Sequence, residues 1–308
     1  WTPREELPFR GKDFEVAYDQ FVLSANKNAR YDLPVAEGKT SIGIDKKTGA
    51  LTSYCFEGKE MLASPVVLSL YRPVTDNDNR EKTGGAKAWK KAGLDHLTQK
   101  AVAVKTNDKG GTAQVQLLNA KGVKIGDATF VYTLKGNVLS VKTTFVPDTS
   151  VVKSLARIGL AFEMPYLYNK VSYLGRGEHE TYVDRDRSGK IGIYHTDAEA
   201  MFHYYVRPQA TGNRTDVRWA TVTDGDGEGL LFGSGKNFQF SVVPFTDENI
   251  DSADHINQLE RTGIVTVHLD AEQTGVGTAT CGPGVLPKYW IPVKKHEFNF
   301  TFSPYREK

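Results

Sequence analysis

Cysteine is almost absent from this 308-residue chain: Cys55 and Cys281 are the only two, and they lie far apart. That excludes a disulfide framework and any metal-type cysteine spacing. One bridge is open to them, and two separate, small, buried apolar thiols are the simpler expectation. Methionine is scarce, at three residues. An excess of charge of one sign is also missing, since 39 Lys and Arg face 37 Asp and Glu for a net charge of +2. Near-neutrality argues against a nucleic-acid partner and against electrostatic attraction to acidic membranes. No run approaches the roughly 20 apolar residues of a transmembrane helix. There is no nucleophile elbow, Walker loop or dinucleotide glycine fingerprint, and no His-x-x-x-His pair. The seven histidines (His96, His179, His195, His203, His255, His268, His296) are scattered. Internal repeats and low-complexity tracts are absent. The chain opens at Trp1 without Met or a signal-type segment, and is expected to be a piece of a longer polypeptide or a mature form.

What is present is core material and strand signal. Hydrophobic residues make up 39% and charged residues 25%, which excludes a disordered chain and leaves room for one large β domain or two average ones. Twenty-nine glycines accompany fourteen tyrosines and fifteen phenylalanines, a composition of turns and aromatic strands. Thr40–Asp45 alternates, Lys46–Gly49 turns with Gly49 at a positive φ, and Ala50–Tyr54 returns. A second hairpin runs from Thr129–Leu134 through Lys135-Gly136-Asn137 to Val138–Phe145. Further strands are read at 113–118, 229–232, 238–242, 263–269 and 297–302. Two segments suggest helices. Ala86–Gln99 places Ala86, Trp89, Ala92 or Gly93, and Leu97 near one face. Thr246–Leu259 has Thr246 as N-cap, acids in its first turn and a stripe of Ile250, Ala253, Ile256 and Leu259. The expected fold class is therefore all-β, an antiparallel two-sheet sandwich larger than an immunoglobulin domain, with two short helices. The polar stretch 24–31 is the best boundary, and Phe14–Leu23 before it alternates like an isolated strand.

Three clusters carry candidate chemistry. In the first, Tyr71-Arg72-Pro73-Val74-Thr75-Asp76-Asn77-Asp78 leads into a polar loop. There Asp76 and Asp78 could bind a hard cation or sugar hydroxyls, or form an Asx-type turn. The second is Gly175-Arg176-Gly177-Glu178-His179-Glu180-Thr181-Tyr182-Val183-Asp184-Arg185. Its Glu178 and Glu180 share a face if extended. Such a pair suits glycoside hydrolysis, yet more often forms a solvated edge bridged to Arg176 or Arg185. The third runs from Tyr204 to Trp219, where Arg207, Gln209, Asn213, Arg214, Asp216, Arg218 and Trp219 combine planar donors and acceptors with a stacking ring. A buried network with Arg214 or Arg218 on Asp216 is the structural alternative.

Taken in order, these segments resemble the C-terminal domain of the long, multidomain β-galactosidases of glycoside hydrolase family 2. The family's Arg-Ala-Pro-Thr-Asp-Asn-Asp is similar to Arg72–Asp78. Its Trp-x3-Gly step is matched by Trp89 to Gly93. Its Gly-Arg-Gly-Pro-x-Glu-x-Tyr-x-Asp-Arg is matched by Gly175–Arg185, and its Pro-Gln-Glu-x-Gly-Asn-Arg-x-Asp-Val-Arg-Trp by Pro208–Trp219. Gly275 to Pro283 and Lys288-Tyr289 also fit. Departures are the Pro73-Val74 order, Glu178 for Pro, Ala210 for Glu, and Thr280-Cys281-Gly282 where some members carry a substrate-stacking Trp.

The resemblance implies a β-supersandwich of the galactose mutarotase type over residues 29–308, with residues 1–28 left from a preceding immunoglobulin-like domain. It implies that the catalytic glutamates and any Mg or Na sites belong to an upstream barrel of about 250 residues, too large for this chain. The partners implied are a galactoside and that barrel in cis, without nucleic acid or membrane, and a homo-oligomer is left open. The source implied is bacterial, and the compartment, periplasm or cytoplasm, is left open by the sequence. No catalytic residue is expected here. Candidates for carbohydrate or interface contact are Arg72, Asp76, Asn77, Asp78, Arg176, Glu180, Tyr182, Asp184, Arg185, Gln209, Asn213, Arg214, Trp219 and Cys281. The alternatives are a stand-alone carbohydrate-binding module with Trp219, Tyr182, Arg176 and Asp76 on one concave face, and a mutarotase- or epimerase-like enzyme using His179, His203, Glu180 and Asp184.

Overall fold

The computed structural model describes Tyr18–Phe21, Leu23 and Leu33–Glu307. The chain divides into residues 1–32 and 33–308, and all the strands and helices described lie in the second unit. The expected isolated strand at Phe14–Leu23 falls largely outside the described residues, as does the expected boundary stretch at 24–31. Tyr18–Phe21, which are described, are not in a strand.

The first hairpin forms as its pattern demands. β1 (Thr40–Ile44) pairs antiparallel with β2 (Leu51–Phe56), and β3 (Lys59–Glu60) completes a small sheet. Gly49 takes φ 72° in the connecting turn. The Asp45 carboxylate tightens that turn by accepting from Thr48 N and Oγ1, each at 2.7 Å.

The remaining strands build a twelve-stranded antiparallel sheet. They are β4 (Val67–Ser69), β5 (Leu97–Asn107), β6 (Gly110–Asn119), β7 (Lys124–Lys135), β8 (Val138–Pro147), β9 (Arg157–Pro165), β10 (Lys170–Gly177), β11 (Lys190–Asp197), β12 (Arg214–Thr223), β13 (Glu228–Val243), β14 (Ile264–Gln273) and β15 (His296–Arg306). The main path is β11-β10-β12-β13-β15-β8-β7-β6-β5. β13 is the branch point. Its first half, Glu228–Ser234, pairs with β15, while Gln239–Val243 pairs with β14, which leads on to β9 and β4. The register against β12 shifts between these halves, so one strand serves two sheet edges. The two arms fold over each other as a sandwich. Phe162 of β9 meets Phe232 of β13 at 5.7 Å and Phe302 of β15 at 5.4 Å between ring centroids. All three are buried in one continuous apolar core. The expected all-β sandwich is therefore what the chain forms.

β14 shows how the second face is used. Val265, Val267 and Leu269 enter the apolar core. Alternating with them, Thr266, His268 and Asp270 are also buried, on the opposite face. That face lies under a smaller apolar cluster of Phe202, Val243, Phe245 and Ile250. Polar side chains are thus held between sheet and cover, where each needs a partner.

The helices are shorter than the periodicity predicts. α1 (Ala86–Ala92) buries Ala86, Trp89 and Ala92 as expected, then stops because Gly93 adopts φ 73° and caps it. Leu97 belongs instead to β5. α3 (Asp247–Ser252) is capped by Thr246, whose hydroxyl accepts from Asn249 N at 3.1 Å. It ends at Ala253, and Ile256 is 41% exposed within a separate 3-10 turn, so the expected stripe breaks after Ala253. A four-residue helix, α2 (Ala198–Met201), capped by the Asp197 carboxylate, was not legible in the sequence. Both cysteines are free, with Cys55 half-buried and Cys281 exposed. The expectation of two buried thiols is corrected on that point. Among the described residues no helix is long and apolar enough to cross a membrane.

Candidate functional site

Arg72 follows β4 and is fully buried, so its charge needs a partner for every N–H. It has them. Nε and Nη2 bind the Asp78 carboxylate at 3.0 and 2.8 Å in a forked pair. Nη2 also reaches Gly275 O at 2.9 Å, and Nη1 reaches Gln273 Oε1 at 3.1 Å and Thr274 O at 2.6 Å. Asp78 further accepts from Thr75 N at 3.1 Å. Trp89 and Tyr182 present their rings to the guanidinium at 5.5 and 6.0 Å. Gly84 must be glycine because a Cβ there would lie 1.9 Å from Asp78 O.

Asp184 extends the same mooring. Its two oxygens accept from Val276 N at 3.0 Å and Gly277 N at 2.7 Å. Asn77 takes the next step, donating to Gly277 O at 2.9 Å and accepting from Thr280 N at 2.7 Å and Thr280 Oγ1 at 2.5 Å. Arg72, Asp184 and Asn77 therefore hold residues 274–280 in succession, each from a different place in the chain. Cys281 stands at the exposed tip beyond this hold.

Glu180 organises the opposite wall. It accepts from the Tyr205 hydroxyl, from Arg185 Nη2, from Thr211 Oγ1 at 2.7 Å and from Gly212 N at 3.0 Å. Burial opposes its ionisation, but the four donors more than offset that and hold its carboxyl below the usual range. Arg185 also lies over the Tyr182 ring at 5.3 Å. Burial pushes the Tyr182 hydroxyl well up.

These walls enclose a cavity of about 220 Å³. It brings together Asp76, Asn77, Glu180, Tyr182, Arg185 and Gln209, six of the residues singled out from three separate motifs. Arg72, Asp78 and Asp184 lie behind its walls. Arg176 does not join them. It pairs with Asp216 at 2.6 Å and donates to Gly189 O at 2.9 Å. Asn213 and Arg214 are buried, bonded to Gln239 Oε1 at 2.8 Å and to the Tyr173 hydroxyl at 2.9 Å. Trp219 lies within β12 and does not line the cavity.

Several pairings expected from the sequence resolve differently. Asp76 and Asp78 do not form one cation site, because Asp78 is bound into Arg72 while Asp76 is exposed. Asp216 pairs with Arg176 rather than with the Arg214 or Arg218 side chain as an ion pair. Glu180 bridges to Arg185, whereas Glu178 stays exposed. Trp219, Tyr182, Arg176 and Asp76 do not share one face of the cavity. Glu180 and Asp184, named for epimerase-like chemistry, have their carboxylates engaged, and His179 bonds Ser188 Oγ at 2.7 Å. The candidate set omitted Tyr205, Thr211, Gln273 and Thr280. Tyr205 lies inside the third motif, whereas nothing local marks Gln273, which meets Arg72 across 201 positions.

A larger groove of about 500 Å³ lies between β9, β14 and α3. None of the fourteen candidates lines it. Its Asp251 is engaged by Tyr71 Oη and Val74 N, each at 2.9 Å, and its Asp247 by His268 at 3.1 Å.

Residues 36–303 match the family described as beta galactosidase small chain. The chain belongs to this family. Curated relatives of the small-chain domain include β-galactosidases of Priestia megaterium, 30% identical over 86% of this chain, and Kluyveromyces lactis, 29% identical over 97%. One from Actinobacillus pleuropneumoniae is 26% identical over 94%. The chain spans 27 to 29% of those relatives' own lengths. A solved galactose mutarotase related enzyme from Lactobacillus acidophilus superposes with a TM-score of 0.40 at 9% identity, covering 88% of this chain and 96% of that one.

Proposed function

We propose that this small-chain domain is the non-catalytic C-terminal part of a glycoside hydrolase family 2 β-galactosidase, completing the mouth of the substrate pocket and a domain interface. The observation that carries this reading is the convergence of three separated motifs on one walled cavity in a chain whose relatives are β-galactosidases about three times its length. Retaining hydrolysis needs two carboxyl groups about 5–5.5 Å apart, one as acid and one as nucleophile. Glu180 is instead engaged by four donors, which suits a structural task. On this reading residues 1–28 end a preceding domain. The catalytic glutamates, with any Mg or Na, belong to the upstream portion of the polypeptide and enter no step here. Association with that portion occurs in cis.

The test is hydrolysis of an aryl β-galactoside. The 308-residue chain is expected to be inactive and the polypeptide that includes the upstream portion active. Turnover by the 308-residue chain alone would overturn the reading.

A further inference from the structure

The polar atoms around the cavity divide into those already bonded and those left over. Glu180 has four donors, Asn77 is bonded at both ends of its amide, Tyr205 donates to Glu180, and Thr280 donates to Asn77. These groups hold walls. Among the described residues the Asp76 carboxylate takes part in no hydrogen bond or ion pair, and neither does Gln209 Nε2.

The orientation of that free amide is determined. Gln209 faces the Asp76 backbone N–H at 2.9 Å. A backbone N–H only donates, so the atom facing it is Oε1, and the NH2 group is the end left free. One backbone hydrogen bond therefore ties together a free carboxylate acceptor and a free two-hydrogen donor, both lining the same cavity. A pyranose presents neighbouring hydroxyls that each donate and accept. The carboxylate can take a hydrogen from one while the amide donates to the oxygen of the next. Asp76 is exposed and Gln209 half-buried, so both can gain a ligand without unfolding a wall.

We infer that Asp76 and Gln209 are the sugar-binding side chains of this domain, recognising a pair of adjacent pyranoside hydroxyls, while Asn77, Glu180 and Arg72 position the walls around them. This rests on the saccharide-handling reading given above, and specifies which atoms meet the sugar.

The test is titration of the 15N-labelled 308-residue chain with methyl β-galactoside and with lactose. The readout is the Gln209 side-chain NH2 signals, assigned by their loss in Gln209→Ala. Both sugars are expected to shift those signals. Asp76→Ala and Gln209→Ala are each expected to weaken binding by about tenfold, the worth of one hydrogen bond to a charged or well-oriented partner. Unchanged backbone spectra away from the cavity would show that the variants remain folded. No response at Gln209 at sugar concentrations well above millimolar, or variants that bind the sugars as tightly as the native chain does, would overturn the inference. Hydrolysis by the longer polypeptide without a response at Gln209 would remove this inference and leave the accessory-domain reading. A response at Gln209 in a polypeptide that does not hydrolyse galactosides would do the reverse.

Discussion

Asp76 and Asp78 are two residues apart in one loop and have opposite surroundings. Asp78 is 3% exposed and forked onto a fully buried arginine, which in turn fixes the carbonyls of Thr274 and Gly275. Asp76 is exposed, with its carboxylate free and its backbone N–H on Gln209. The first belongs to the mooring of the cavity and the second to its rim. The difference shows that a charged residue in a motif carries stability when its partners are buried with it, and is available to a ligand when they are not.

The largest effect is expected from emptying the mooring. Arg72→Met leaves Asp78 buried without its partner and should cost about 3–5 kcal/mol in urea unfolding. Asp78→Asn should cost a comparable amount, and the double variant less than the sum, because the two remove one interaction. Additive effects would show that the pair is not the unit described here. Next in size is Glu180→Gln, expected to cost about 1–3 kcal/mol by weakening the bonds to Arg185, Tyr205, Thr211 and Gly212.

The same residue gives a pH test. Its folded pKa lies below the unfolded one, so its contribution is full above the ordinary glutamate value of about 4.3 and disappears as pH falls through the folded value. Thermal melts below pH 4.3 should therefore show a smaller gap between Glu180→Gln and the native chain than melts at pH 7. A gap that widens with acid would reverse the assignment. Smaller again is Thr246→Ala, which removes the α3 cap and should cost about 1 kcal/mol. The least effect belongs to the rim. Asp76→Ala and Gln209→Ala should leave stability within about 0.5 kcal/mol. If Asp76→Ala were as destabilising as Asp78→Asn, the division between mooring and rim would fail.

Much of the fold was legible because it is written locally. Alternation marked the hairpins, Gly49 and Gly136 took the positive φ their turns need, and Thr246 capped the helix it was expected to cap. Helix lengths were less legible. The 86–99 pattern continues past Gly93 on paper, while the left-handed glycine ends the helix and the following residues find strand partners in β6. The motifs located the candidate site, but not the state of its members. Glu178 and Glu180 alternate identically on paper, yet one is exposed and the other sits among four donors drawn from Arg185 to Gly212.

The all-β class, the main turns and the segments that meet at the cavity follow from local pattern, since each depends on the periodicity and backbone preferences of neighbouring residues. Which carboxylates are engaged and which are free depends on long-range packing. Three of the five Arg72 hydrogen bonds go to residues about 200 positions away, and Asn77 is held by the loop at Gly277 and Thr280. A charge's surroundings are set by whatever folds against it, and no local pattern records that.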